Sequence, residues 1–108
     1  MTKITVYKSN GQYAGFSCMG HAGYAAYSKD IVCASISILV INTINSIEKL
    51  TEDIPQIETD EKTGYISCTF SKSLSEQTIL LMDAMILGLT EVKKQYGKKY
   101  VDVKFEEV

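Results

Sequence analysis

One long segment, beginning at Asp30, places the strongest constraint on the fold of this chain. Its apolar residues recur at every third or fourth position, and about twenty residues pass without a glycine or a proline. The members of this apolar series are Cys33, Ile36, Val40, Ile44 and Ile47. Because strands are typically about four to eight residues long, the length and the spacing together predict a helix. Asp30 is then the expected N-cap of that helix.

A second helix is predicted after residue 73. The run Ser73-Leu74-Ser75-Glu76 has the form of a capping box, and Lys93, Lys94 and Gly97 are signals for a C-terminal end. One face of this helix would carry Thr78, Met82, Met85, Leu89, Val92 and Tyr96. Residues 79–82 cover nearly the whole circumference with apolar side chains, so contacts on more than one side are expected. This surplus of apolar surface favours a homodimer.

Shorter segments between and around the helices alternate in polarity, as half-buried strands do. Residues 4–6 and 12–19 are joined by Asn10-Gly11, a dipeptide that favours a tight hairpin. An irregular or edge strand near Pro55, a turn at 60–64 and a strand at 65–71 form a second hairpin, and a last strand follows from Val101. The predicted order is ββαββαβ. We therefore expect an α+β fold, a single domain over residues 1–108 with an antiparallel sheet packed with two long helices.

Composition narrows the class of protein. A chain of 108 residues with 45% hydrophobic content can form one domain with a core. The 11 Lys and Arg against 13 Asp and Glu leave a net charge of −2 without a basic block, so direct nucleic-acid binding is not expected. The start of the chain lacks the pattern of a secretory signal. The apolar stretches of the chain are expected to be too short or too interrupted to span a bilayer. We expect a cytoplasmic protein that does not contact membranes.

The three cysteines, Cys18, Cys33 and Cys68, form no Cys-x-x-Cys pair, so free thiols are expected. A three-ligand metal site from Cys18, His21 and Cys33 can be drawn. The wide gap before Cys33 and the lack of a second histidine argue against it. We expect no metal and no cofactor.

His21 and Cys33 are the residues most suited to chemistry. His21 is the only histidine, and it precedes the predicted helix by a loop rich in small residues. Cys33 falls at the third helical position, where the helix dipole stabilises a thiolate, and the amides of Cys33 and Ala34 could stabilise an oxyanion. The loop is long enough to fold back and bring the imidazole to the sulfur. A surface histidine and a small buried cysteine remain the alternatives on these residues alone.

The residues around this pair resemble a known protease family. The matching runs are Gly20-His21-Ala22-Gly23-Tyr24-Ala25 and Asp30-Ile31-Val32-Cys33-Ala34, followed by Ser37. They are similar to the motifs of the ribosomal-processing cysteine proteases, the Prp family of Firmicutes. The resemblance implies a catalytic dyad of His21 and Cys33, and removal of the N-terminal extension of a large-subunit ribosomal protein after paired phenylalanines. It also implies a homodimer and a mobile loop. Ser28 stands where the family often has glycine.

Supporting roles follow for the neighbours of the dyad. Gly20 is expected to give the loop its backbone freedom, and Asp30 either caps the helix only or also orients His21. Ser37, one turn beyond Cys33, could bond to the site or to a helix carbonyl. Tyr24 and Tyr27 could line an apolar substrate groove or pack within the loop.

We expect a site without a charged specificity pocket, which selects its substrate by apolar fit. Two other classes stay open at this point. One is a non-catalytic, dimeric binding module for ribosome assembly, in which Cys33 is simply buried. The other is a thiol-dependent amidase of small substrates.

Overall fold

A computed structural model describes residues 1–26 and 30–108 as one α+β domain. The strands and helices follow the predicted ββαββαβ order. Their bounds are β1 Thr2–Ser9, β2 Gln12–Met19, α1 Ile31–Leu50, β3 Gln56–Asp60, β4 Tyr65–Thr69, α2 Glu76–Tyr96 and β5 Val101–Glu107. The predicted fold class is confirmed. Tyr27, which could line the substrate groove or pack within the loop, and Ser28, which stands where the family often has glycine, lie outside the described residues.

The five strands form one sheet in the order β3-β4-β2-β1-β5. Three neighbouring pairs are antiparallel, but β5 runs parallel to β1, with Val101 opposite Thr2 and Phe105 opposite Val6. The sheet is therefore mixed rather than wholly antiparallel. Alternation of side chains gives no information on strand direction, and it is the crossover through α2 that brings β5 back beside the first strand.

The first hairpin shows the turn that its sequence predicts. Asn10 and Gly11 both have positive φ, 52° and 78°, as a two-residue turn matched to the twist of the strands requires. The two strands that it joins, β1 and β2, lie in the middle of the sheet and carry Ile4, Val6 and Phe16 into the core.

The core lies between the sheet and the two helices, which pack against each other. Its helical members are Val32, Ile36, Val40, Ile44, Ile47, Met82, Met85 and Leu89, each less than 10% exposed. Gly88 lets the helices approach closely, because a Cβ there would lie 2.8 Å from a terminal methyl carbon of Leu39. A bulkier residue at position 88 would require the Leu39 side chain to move.

By length and composition α1 is apolar enough to cross a membrane. This differs from the expectation that every apolar stretch of the chain is too short or too interrupted to do so. A core helix of a globular domain meets the same criterion. In this structure α1 buries one apolar face against the sheet and α2. The high hydropathy of α1 arises because the helix has apolar residues on its outer face in addition to those on its buried face.

The caps of the two helices are side-chain oxygens. Asp30 caps α1 as expected. The N-cap of α2 is Ser75 rather than the predicted Ser73, and its hydroxyl accepts a hydrogen bond from the Thr78 amide. The Asp53 carboxylate selects this cap, because it accepts hydrogen bonds from both the amide and the hydroxyl of Ser75, at 3.0 and 2.7 Å.

Candidate active site

The first turn of α1 presents Cys33 at one end of the domain. The Asp30 carboxylate accepts a hydrogen bond from the Cys33 amide at 2.9 Å, and this bond sets the start of the helix. Cys33 is partly exposed, whereas Cys18 and Cys68 are buried. It is therefore the thiol that a substrate can reach.

His21 lies beside that thiol. It follows the end of β2, and its Nδ1 is 3.9 Å from the Cys33 Sγ. This distance is longer than a strong hydrogen bond, but apo sites often hold their catalytic groups loosely and tighten them on substrate. The two residues predicted to act together are thus brought into contact across a twelve-residue separation.

Asp30 also connects the histidine loop to the helix. One carboxylate oxygen accepts from Cys33, and the other accepts from the Tyr24 amide at 3.0 Å. Burial of this carboxylate acts to raise its pKa, but the backbone amides that surround it, including those of Cys33 and Tyr24, together hold the pKa below its usual value. Asp30 therefore stays ionised at neutral pH and fixes both the helix start and the loop.

Gly20 contacts two distant segments, and the expectation that it gives the loop its backbone freedom stays a prediction. Its φ is +91°, a Cβ would lie 2.6 Å from the Met1 carbonyl oxygen, and its amide donates to the Thr63 carbonyl at 3.3 Å. Glycine is needed at this position because its φ is positive and the backbone of Met1, just before β1, approaches it closely. A substitution at Gly20 would reduce stability as well as activity.

The expected oxyanion donors are also already engaged. The Cys33 amide donates to Asp30 Oδ1, and the Ala34 amide donates to the Asp30 carbonyl at 3.0 Å. We expected these amides to be first-turn donors without a hydrogen-bond partner inside the protein. An efficient side-chain cap and the first bond of the helix instead satisfy them, so this assignment is wrong for the conformation described.

A cavity of about 880 Å³ extends from the dyad between α1 and the β3–β4 hairpin. Its apolar lining includes Ile31, Ile36, Val40, Ile41, Tyr65 and Ile66. Asp60, the last residue of β3, and Glu61, in the turn that follows it, also line the cavity. The expectation of a site without a charged specificity pocket stays a prediction, and these two carboxylates, distant in sequence from the dyad, are the acidic groups that a substrate in the cavity could meet.

The other predicted site residues differ in position. Ser37 is exposed and lines the cavity one helical turn beyond Cys33. Tyr24 is not among the lining residues, and its ring packs edge-on against Tyr96 and Tyr100, with centroids 5.4 and 5.1 Å apart. For Tyr24 the structure favours packing over substrate contact, and its partners are the last residue of α2 and the residue before β5 rather than the loop itself.

The remaining thiols are poorly suited to nucleophilic attack. Burial, with a smaller effect of the Cys33 charge, raises the pKa of Cys18 to about 11. Burial and the charge of Glu48 raise the pKa of Cys68 to about 12. Neither forms appreciable thiolate at neutral pH. Among the residues described, no group of three or more His, Cys, Asp and Glu is arranged to hold a metal ion.

Sequence reasoning missed the turn between β3 and β4 as a part of the site. Gly64, with φ of +69°, lies against the His21 ring. In the sequence, Gly64 appears only as the glycine that ends a polar turn. Such a glycine does not indicate which distant residue the turn will meet.

Comparison with known proteins places this geometry in context. A family model described as "Cysteine protease Prp" matches residues 1–102. The ribosomal processing cysteine protease Prp of Bacillus subtilis (strain 168) is 28% identical over 101 residues, covering 89% of this chain and 90% of that protein.

Two crystal structures of the ribosomal processing protease Prp from Staphylococcus aureus share the fold. One, in complex with a covalently linked product peptide, has a TM-score of 0.92 at 22% identity. The other, in complex with a substrate peptide, has a TM-score of 0.86 at 20% identity. Each comparison covers 98% of this chain and 100% of the other.

Proposed function

The chain belongs to the Prp family of cysteine proteases, and on this premise we propose that Cys33 is the nucleophile and His21 the general base. The observation that carries the proposal is the 3.9 Å approach of His21 Nδ1 to the Cys33 Sγ at the edge of the cavity. Cys33 is the partly exposed thiol of the three. His21 is the only histidine in the sequence.

The reaction follows from these two groups. His21 Nδ1 takes the thiol proton, and the Cys33 thiolate attacks the carbonyl carbon of the scissile peptide bond. The carbon–nitrogen bond then breaks, the imidazolium gives its proton to the leaving amine, and a thioester to Cys33 remains. Water attacks the thioester with His21 as base, the acyl group leaves as a carboxylic acid, and the proton returns to sulfur.

We propose that the substrate is the N-terminal extension of a large-subunit ribosomal protein, cleaved after paired phenylalanines. The long cavity can accommodate an extended peptide, and its apolar lining suits aromatic side chains. The relative from Bacillus subtilis is named as a ribosomal processing protease, and the Staphylococcus aureus protease is described with a substrate peptide.

The other classes fit the site less well. A binding module in which Cys33 is simply buried does not explain a partly exposed thiol in contact with the histidine. A small-substrate amidase does not require so large an open cavity. Peptide hydrolysis accounts for both features.

The test is cleavage of a Phe-Phe peptide by the purified protein, followed by mass spectrometry. Cys33→Ala and His21→Ala should each lower kcat/KM by at least about a thousandfold. Cys68→Ser, at a buried thiol away from the cavity, is the matched control and should remain active. Replacing the phenylalanine before the scissile bond with alanine should lower kcat/KM about ten- to a hundredfold. Turnover by Cys33→Ala would refute the mechanism.

We propose further that the protein acts in the cytoplasm as a homodimer, without direct contact with nucleic acid or membranes. The apolar outer surface of the helices supports the dimer. Ile38 on α1 and Leu80 and Leu87 on α2 are each more than 60% exposed. Such apolar residues on neighbouring helices are typical of an interface between subunits.

A further inference from the structure

The position of the His21 ring depends on more than its own loop. This inference rests on the proposed role of His21 as the base. His21 is exposed, so burial in the core does not fix its orientation. Its segment is tied at both ends, by the Gly20 amide to the Thr63 carbonyl and by the Tyr24 amide to Asp30. These bonds fix the backbone and leave the ring to be oriented by its side-chain contacts.

The β3–β4 turn supplies one such contact at Gly64. A Cβ built at this position would lie 3.3 Å from His21 Cε1, 3.5 Å from Nε2 and 3.1 Å from the Gly20 carbonyl oxygen. A side chain at position 64 would therefore press on the imidazole edge and on the Gly20 carbonyl, and glycine leaves the ring its place beside the turn. Cys33 lies beside Nδ1 of the same ring.

We propose that Gly64 is a positioning residue for the reaction, because its lack of a side chain sets the place of the His21 ring relative to Cys33. A methyl group at position 64 would displace the ring or the backbone of Gly20 by a few tenths of an ångström. Displacements of about 1 Å can cost about a hundredfold in rate, and proton transfer from Cys33 depends on this geometry. The turn thus acts on catalysis through the histidine and not through the peptide.

Gly64 also has a positive φ, so alanine there brings a backbone penalty unrelated to catalysis. Gly11 provides the matched control. Its φ is +78°, it lies in the β1–β2 turn, and a Cβ there would meet nothing within 4 Å. Gly64→Ala and Gly11→Ala therefore share the backbone strain, and the contact with His21 belongs to Gly64→Ala alone. Asparagine tolerates positive φ better than alanine, so Gly64→Asn and Gly11→Asn keep the comparison possible if an alanine variant fails to fold.

The experiment measures kcat and KM for Phe-Phe peptide cleavage, together with melting temperature, in the full chain and in these variants. We expect Gly64→Ala and Gly64→Asn to lower kcat about tenfold or more with KM changed less than about twofold. The Gly11 variants should lose a similar amount of stability and keep kcat. Equal kcat in the Gly64 and Gly11 variants would overturn the proposal, and so would a rise in KM with kcat unchanged, since Gly64 would then contact the peptide.

A second measurement separates this proposal from that of the dyad. The chain has a single histidine, so the Hε1 resonance of His21 is unambiguous in NMR spectra. The wild-type protein should show a nuclear Overhauser effect between His21 Hε1 and the Gly64 Hα protons, and its absence would refute the contact. Full activity in His21→Ala would instead refute the dyad, whatever the Overhauser effect shows.

Discussion

At the scale of single residues, one carboxylate organises the site. Asp30 uses one oxygen for the Cys33 amide and the other for the Tyr24 amide. It is 6% exposed, so both bonds are largely shielded from water. Cys33 and the histidine loop are thereby bonded to the same carboxylate, whose ionised form accepts hydrogen bonds from both.

Replacing Asp30 with asparagine should separate these roles. Asparagine is as good an N-cap as aspartate, so its carbonyl can still accept from the Cys33 amide. Its NH₂ group would then face the Tyr24 amide, two donors in opposition, and the histidine loop would lose its tie. We expect kcat/KM to fall about tenfold, with a smaller effect on thermal unfolding than Asp30→Ala. A loss of stability in Asp30→Asn equal to that of Asp30→Ala, with normal cleavage, would contradict this.

At the scale of elements, the end of α1 and the start of α2 are joined through Asp53. Its carboxylate accepts hydrogen bonds from the Ser75 amide, the Ser75 hydroxyl and the Thr78 hydroxyl, and the last of these also bonds to Thr51. The hydrogen bonds from Thr78 and Ser75 hold the pKa of Asp53 below its usual value. This group of side chains orders the link between the helices and the second hairpin.

Asp53→Asn should therefore destabilise the domain in a pH-dependent way. A carboxylate with a lowered folded-state pKa stabilises the protein above its unfolded pKa, and this stabilisation is lost as the pH falls through the folded value. We expect a loss of about 1–3 kcal/mol in the free energy of unfolding at pH 7, and a smaller difference from wild type below about pH 4. Urea unfolding across pH measures both. Glu52→Gln, at the exposed neighbouring carboxylate, should have little effect; an equal loss would assign the effect to net charge.

At the scale of the whole molecule, the proposed homodimer would use the apolar outer surface of the helices. The sheet covers the inner faces of α1 and α2, while Ile38, Leu80 and Leu87 remain exposed. The proposed partner is a second copy of the chain, as the resemblance to the family implies. The overload of apolar residues that the sequence showed in α2 then falls largely on this surface.

Leu87→Glu should dissociate the dimer. An unpaired carboxylate in an apolar interface costs about 2 kcal/mol or more, so the dimer dissociation constant should rise at least ~30-fold. Sedimentation equilibrium of the 12.0 kDa chain reports this change directly. Ile54→Glu, at an apolar residue that is 89% exposed and lies outside the helices, is the control and should leave association unchanged. Association unaffected by Leu87→Glu would exclude this surface as the interface.

The sequence by itself determined the features that depend on near neighbours. The period of α1, its cap at Asp30, the Asn10-Gly11 turn and the order of elements are all set by residues a few positions apart, and they appear as predicted. The motifs around His21 and Cys33 were also enough to identify the family, because they are local patterns.

Only the tertiary structure decided the features that join distant segments. The parallel pairing of β5 with β1, the acidic turn along the cavity and the contact of Gly64 with His21 each link residues more than twenty positions apart. The contacts of Gly20 with Met1 and Thr63 likewise join segments that are distant in sequence. No local pattern records these contacts, since they follow from how the whole sheet and both helices pack.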